Sequence, residues 1–154
     1  MKILLWLCAL GAAVSSGVLL AFSSFVMAGL ARISAPAGIA AMQAINVTVI
    51  NPLFMGVYFG TGLLCAIAAV LVWRGAPGVT PSLVYAAAVI YIFGVLGVTI
   101  AFNVPMNDAL AQVDANSAEA AAYWRTYLSQ WTNWNHLRCA AAAVSAALMM
   151  WAAG

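Results

Sequence analysis

The stretch VTVINPLFMGVYFGTGLLCAIAAVLV, Val47 to Val72, decides the fold class of this chain because it contains no charged residue. A helix rises ~1.5 Å per residue, so about 20 residues cross a hydrocarbon layer of ~30 Å. Backbone amides in lipid must find hydrogen-bond partners within their own segment, which a helix provides and an isolated strand does not. The stretch therefore predicts a membrane-spanning helix.

Three further apolar segments have a similar length: Ile3 to Leu30, Ser82 to Phe102 and Leu137 to Ala153. Hydrophobic residues make up 67% of the 154 residues and charged residues 5%, which excludes a water-soluble globular protein. No linker or charge run divides the chain. We predict an all-α membrane protein, one integral membrane domain over residues 1–154 folded as a four-transmembrane-helix bundle.

Both chain ends should lie on one side of the membrane, because the number of spans is even. Lys2 and Arg74 then share that side, while Arg32, Arg125 and Arg138 fall on the other. This balance of positive charge does not decide the orientation. We expect a multi-pass protein of the cell (inner) membrane.

Gly56 and Gly60 form a GxxxG pair in the second span. Small residues at this spacing allow two helices to approach closely. The pair is compatible with packing inside the bundle and with a contact in a homo-oligomer or larger membrane complex. Besides the lipid bilayer we expect a small planar apolar substrate as partner, and no nucleic acid.

The polar and aromatic segment 103–136 separates the last two spans. Pro105 lacks an N–H and disfavours helix before it, so the third span should end or kink there, with Asn103 and Asn107 beside the break. Asn116, followed three residues later by Glu119, resembles a capping box and predicts the start of the last helix. That helix would be long enough to extend beyond the bilayer.

Aromatic and polar side chains recur along one face of this last helix, at alternating spacings of four and three residues. They are Trp124, Leu128, Trp131, Asn135 and Arg138, with Tyr123, Tyr127 and Trp134 in an adjoining stripe. An interfacial aromatic belt is one interpretation. An aromatic-walled pocket for a flat ligand is the other, and the polar residues Asn135, His136 and Arg138 within one turn favour it.

His136 is the only histidine of the chain. Neither a second histidine nor a pair of closely spaced cysteines accompanies it, so we expect no metal site. One axial histidine is sufficient for some haem proteins. Haem or metal bound by His136 is therefore a minority alternative.

Four segments resemble the anthrone oxygenase family of small four-span membrane proteins: AFSSFVMAGLARI, AMQAIN, FNVPMNDAL and YWRTYLSQWTNWNHLR. The resemblance implies O2-dependent oxidation of an anthrone-type polyketide to a quinone by a monooxygenase. It implies no flavin, metal or other cofactor, with O2 as cosubstrate. Removing a proton from the activated CH2 of an anthrone gives an electron-rich enolate that can itself reduce O2.

Given this resemblance, the polar residues acquire expected roles. We expect His136 to act as the base, because histidine exchanges protons near neutral pH, with Asp108 as the alternative base. Expected donors to the enolate oxygen are Asn103, Asn107, Asn135 and Arg138. The expected substrate-binding residues are Trp131 and Trp134 beside the rings, Trp124 and Tyr127 on the same helix, and Gln43 and Asn46 on the opposite wall.

Two functions of other classes remain open from the sequence. The chain could be a non-enzymatic small membrane subunit or scaffold, or a haem- or metal-binding membrane redox protein.

Overall fold

The computed structural model describes all 154 residues and contains helices without strands. Four helices are long and apolar enough to cross a membrane: α1 (Lys2–Leu30), α3 (Pro52–Trp73), α4 (Pro81–Ala111) and α5 (Ala120–Ala153). A shorter helix, α2 (Ala35–Thr48), connects α1 to α3. The predicted all-α membrane architecture with a long C-terminal helix is confirmed.

The second span begins at Pro52 rather than at Val47. Asn51 caps it, since its Oδ1 accepts a 3.0 Å hydrogen bond from the N–H of Phe54. An asparagine cap followed by proline at the first helical position is a strong start signal. Val47 instead belongs to the end of α2, a helix that the apolar run concealed.

The third span does not end at Pro105, as the proline had suggested; α4 continues to Ala111. Two wider π-helical stretches, Ile90–Gly97 and Thr99–Asn103, precede the proline within this helix. A π-helical turn alters the backbone hydrogen-bond ladder and so can accommodate the missing N–H and bulky ring of proline. The helix therefore carries Asn103 and Asn107 toward α5 instead of leaving them in a loop.

The last helix begins at Ala120, and Asn116 does not cap it. The backbone N–H of Asn116 donates to Oδ1 of Asp114 at 3.0 Å, which forms a turn ahead of the helix. With 34 residues, α5 is about 51 Å long at ~1.5 Å per residue. It therefore extends well beyond a hydrocarbon layer of ~30 Å.

Small residues bring some of the helices close together. A Cβ at Gly11 would collide with Thr61, and one at Gly94 would lie 2.9 Å from the Cβ of Ala141. By contrast, nothing lies within 4 Å of a Cβ placed at Gly56 or Gly60. The GxxxG pair thus faces outward and does not pack the bundle internally, while its use in an oligomer stays a prediction.

The two chain ends meet, because Nζ of Lys2 donates to the carbonyl oxygen of Gly154 at 3.2 Å. The opposite end of the bundle, here called the α2 end, holds α2, the C-terminal end of α4 and the first half of α5. A separate core lies there, formed by Met27, Ile39, Met42, Leu110, Ala120, Trp124, Tyr127 and Trp131. This core supports the candidate site.

Candidate functional site

A cavity of about 440 Å³ opens between all five helices toward the α2 end. Of its 22 lining residues, 15 are hydrophobic. Cavities of ~300 to 1,000 Å³ with apolar walls and a few polar groups typically bind small molecules. The polar groups of this cavity therefore determine which hydrogen-bonding groups and charge a ligand needs in order to bind.

Arg138 is the one positively charged residue that lines the cavity, and its side chain is only 5% exposed. Its Nη1 donates to Oγ1 of Thr99 at 3.1 Å and its Nη2 to Oδ1 of Asn135 at 2.7 Å. Nε has no hydrogen-bond partner. Both partners are neutral, so the buried positive charge is hydrogen-bonded but not compensated, which is costly and typical of functional sites in membranes.

Asn135 is fully buried and holds Arg138 in place. Its Nδ2 donates to the carbonyl oxygen of Leu19 at 2.7 Å and to Oγ of Ser23 at 2.8 Å, both on α1. Its Oδ1 accepts from Arg138. Because these bonds occupy the amide, Asn135 positions the guanidinium instead of meeting a ligand as the donor we had expected.

The indole of Trp131 forms the floor beneath this guanidinium, with Cζ of Arg138 5.2 Å from the ring centroid. Phe22 of α1 packs against the same indole at a centroid distance of 5.6 Å. Nε1 of Trp131 donates to Oδ1 of Asn107 at 2.8 Å, and the hydroxyl of Tyr127 donates to the same atom at 2.9 Å. Two donors to one amide oxygen fix the orientation of the indole.

Tyr58 and Thr99 complete the polar wall, and the sequence reasoning missed both. The Tyr58 hydroxyl lies 2.7 Å from Oγ1 of Thr99. Thr99 donates to the carbonyl oxygen of Val95 at 2.7 Å, so it accepts from both Tyr58 and Arg138. Phe54 stacks on Tyr58 at 5.2 Å. Thr99 could have been identified as a polar residue inside an apolar span. No feature of the sequence distinguishes Tyr58 from the other aromatic residues of the spans.

The family model described as anthrone oxygenase matches residues 54–148, which include Tyr58, Thr99, Trp131, Asn135 and Arg138. The chain belongs to the anthrone oxygenase family. No curated protein and no solved structure matches it.

In this anthrone oxygenase family member, His136 does not reach the cavity. The side chain is exposed and absent from the cavity wall. Successive residues of a helix are rotated by about 100°, so when Asn135 and Arg138 point inward His136 points outward. The expected role of His136 as the base therefore has no geometric support in the structure.

The same placement weakens the haem and metal alternative, because a ligand on the outer helix face cannot hold a group in the cavity. No cluster of three or more His, Cys, Asp or Glu side chains could hold a metal ion. The anthrone oxygenase family member thus offers its cavity hydrogen-bond donors and aromatic faces rather than a set of metal ligands.

Three other predicted site residues do not line the cavity. Asn103 is buried and donates from Nδ2 to the carbonyl oxygen of Trp131 at 3.3 Å. This bond joins α4 to α5 near the cavity. Trp134 stacks on Phe102 at 3.7 Å, away from the cavity wall. Trp124 stacks on Tyr127 at 5.5 Å, within the core behind the cavity.

Gln43 and Asn46, which we predicted on the opposite wall, do line the cavity, and so does Asp108, the alternative base. Gln43 donates from Nε2 to the carbonyl oxygens of Leu110 at 2.8 Å and Val113 at 3.1 Å, which ties α2 to the end of α4. Nδ2 of Asn46 is buried without a partner. Asp108 is the one acidic residue that lines the cavity. Because its side chain is exposed to solvent, it lies at the cavity mouth.

Proposed function

We propose that this protein oxidises a planar anthrone-type aromatic compound to a quinone with O2, as a cofactor-independent monooxygenase. The observation that supports this most is the buried guanidinium of Arg138, uncompensated by any carboxylate, held against Trp131 in an apolar cavity. Family membership agrees with this activity but does not by itself establish it, because related folds can carry different chemistry.

The reaction needs no electrons beyond those of its substrate. The CH2 of the anthrone loses a proton and leaves an enolate, which transfers one electron to O2. The resulting carbon radical and superoxide combine to form a C–O bond and, after protonation, a hydroperoxide. The remaining hydrogen on that carbon leaves as a proton while the O–O bond breaks, which gives the C=O of the quinone and one water.

The residues of the cavity can assist the first of these steps. Arg138 would donate to the enolate oxygen and stabilise its negative charge, and one preorganised donor of this kind contributes ~10²- to 10³-fold to the rate. Nδ2 of Asn46, buried without a partner, would meet a second oxygen of the ligand. Asp108 at the mouth would accept the proton.

The aromatic side chains would bind the rings themselves. Two aromatic pairs, Phe22 with Trp131 and Phe54 with Tyr58, line the cavity. Stacking with such surfaces favours planar ligands. An apolar substrate of this kind would partition into the cell (inner) membrane, where we place the protein.

The decisive experiment measures oxidation of anthrone by the purified protein in detergent, as O2 uptake and quinone absorbance. We expect turnover above the rate in buffer, and a loss of at least ~100-fold per folded molecule in Arg138→Met. Arg125→Met is the matched control, because Arg125 is an exposed cation of the same helix. Equal turnover in wild type and Arg138→Met would refute the proposed role.

The same preparation tests the alternatives. An absorption band of bound haem that is lost in His136→Gln would favour the redox protein. A colourless, inactive protein that purifies together with other membrane subunits would favour the non-enzymatic component.

A further inference from the structure

We infer that the cavity selects its aromatic ligand in the ionised form, as a phenolate or enolate, instead of binding the neutral molecule and deprotonating it inside. This inference rests on the proposed function for the class of ligand, a weakly acidic hydroxyaromatic compound or its keto form. It concerns the state in which that ligand binds, which the proposed function leaves open.

The first argument is the placement of charge. Arg138 is 5% exposed, its two hydrogen bonds go to the neutral side chains of Thr99 and Asn135, and its Nε–H has no partner. A guanidinium stays protonated in proteins. The cavity wall therefore contains a positive charge whose desolvation is not offset by an ion pair, and a ligand anion would supply the missing negative charge.

The second argument is the distribution of groups that could take a proton. The walls from α1 and α2 carry no ionisable side chain. The α3 wall carries Tyr58, whose hydroxyl donates to Thr99, and the α5 wall carries Arg138. The α4 wall carries Asp108, which is exposed. Tyr127, behind the wall, donates to Asn107. The carboxylate thus stands at the mouth and the cation stands inside.

The third argument is the rigidity of the cation. Two hydrogen bonds and the indole of Trp131, 5.2 Å from Cζ, hold the guanidinium of Arg138 in place. Donors that are fixed before a ligand arrives stabilise an oxyanion without reorganising. An aromatic anion can place its oxygen at the remaining N–H groups while its rings meet the apolar walls. A neutral ligand would use the same walls but would leave the charge uncompensated.

The test uses alizarin, a dihydroxyanthraquinone dye that is already a quinone and changes colour when it ionises. The dye is titrated with pH in nonionic detergent, with and without the protein. An opposite charge within ~4 to 6 Å lowers the ionisation midpoint of an acid by about 1 to 3 pH units. We expect a shift of this size for the bound dye, retained in Arg125→Met and lost in Arg138→Met.

A second variant covers the case in which Arg138→Met does not fold. Arg138→Lys keeps the charge but not the planar fork of donors, and we expect it to retain part of the shift. A bound dye that ionises at the same pH as the free dye, or absence of dye binding, would overturn the inference. Equal shifts in wild type and a folded Arg138→Met would do the same.

The outcome separates this inference from the proposed function. A shifted dye together with no oxidation of anthrone would support selection of the anion and refute the oxygenase. Oxidation of anthrone together with an unshifted dye would support the oxygenase and refute selection of the anion.

Discussion

Asn135 and Arg138 form one hydrogen-bonded unit: Oδ1 of Asn135 accepts a 2.7 Å bond from Nη2 of Arg138, one turn later in α5. The amide nitrogen of Asn135 is in turn held by Leu19 and Ser23 of α1. The position of the cavity charge therefore depends on how α1 packs against α5. Asn135 thus has no hydrogen-bond donor left for the ligand, but it determines where Arg138 binds the ligand's oxygen.

Asn135→Leu should impair catalysis through Arg138. We expect kcat for anthrone to fall ~10- to 100-fold with a smaller change in KM, since a displaced catalytic group can cost about that much. The unpaired buried groups should also lower the free energy of unfolding by ~1 to 3 kcal/mol. Steady-state kinetics and thermal melting in detergent measure both effects. Asn133→Leu, at an exposed position of the same helix, should leave kcat unchanged.

Asn135→Asp tests the charge rather than the packing. The substitution keeps an acceptor of nearly the same size but places a carboxylate beside Arg138, which would compensate the cation. An oxygen then replaces the Nδ2 donor that faces the carbonyl oxygen of Leu19, so we expect a lower melting temperature. In the folded protein, the ionisation shift of bound alizarin should shrink toward zero. A shift as large as in wild type would show that the charge of Arg138 does not select the anion.

His136→Gln should have little effect, contrary to the role that the sequence suggested. His136 is exposed on the outer face of α5, and surface substitutions usually change stability by no more than ~0.5 kcal/mol. We expect turnover per folded molecule within about twofold of wild type, because His136 does not line the cavity and a twofold change in rate corresponds to only ~0.4 kcal/mol in the activation barrier. A loss of orders of magnitude, in a folded protein, would restore His136 as the base.

Asn107→Leu should allow the Trp131 indole, which forms the floor of the cavity, to move. Oδ1 of Asn107 accepts hydrogen bonds from Trp131 and Tyr127, and each buried donor left unpaired costs ~1 to 3 kcal/mol. We expect a lower melting temperature and weaker binding of alizarin, measured by titration. Asn116→Leu is the control, because the side chain of Asn116 lies in the turn before α5, away from the cavity. Unchanged melting and binding in Asn107→Leu would contradict this role.

Gly38→Ala should loosen the contact between α2 and α5. A Cβ at Gly38 would lie 2.9 Å from Cζ2 of the Trp124 indole, while nothing lies within 4 Å of one at Gly29. Overpacking typically costs ~1 to 3 kcal/mol, whereas alanine in an open helical position stabilises by up to ~1 kcal/mol. Thermal melting should therefore separate Gly38→Ala from Gly29→Ala. Equal melting temperatures would show that α2 can shift to accommodate the added methyl group without a loss of stability.

Local pattern predicted one face of the site well. Trp124, Trp131, Asn135 and Arg138 were placed together by their spacing, and all four are buried. The same periodicity contained the signal that His136 lies off this face. Its chemistry, as the only histidine, outweighed its position in our prediction. The spacing was the better guide, because the backbone fixes the direction of each side chain regardless of its reactivity.

The ends of the helices were predicted less well, for identifiable reasons. The apolar run through Val47 hid the end of α2, because hydropathy does not distinguish an apolar helix end from a span. Pro105 suggested a break that the π-helical turn Thr99–Asn103 avoids. Such a turn depends on which neighbours satisfy the displaced backbone groups, and a single sequence does not show those neighbours.

The sequence by itself determined the environment, the number of spans and the long final helix, because the length of apolar segments and the cost of burying charge in lipid are local properties. Only the tertiary structure decided that Tyr58 and Thr99 join Arg138 around a cavity. Membrane helices are apolar on nearly all faces, so hydrophobic periodicity does not reveal which face turns inward. That rotation is set by close contacts between helices, such as Gly11 against Thr61, which exist only once the helices have packed.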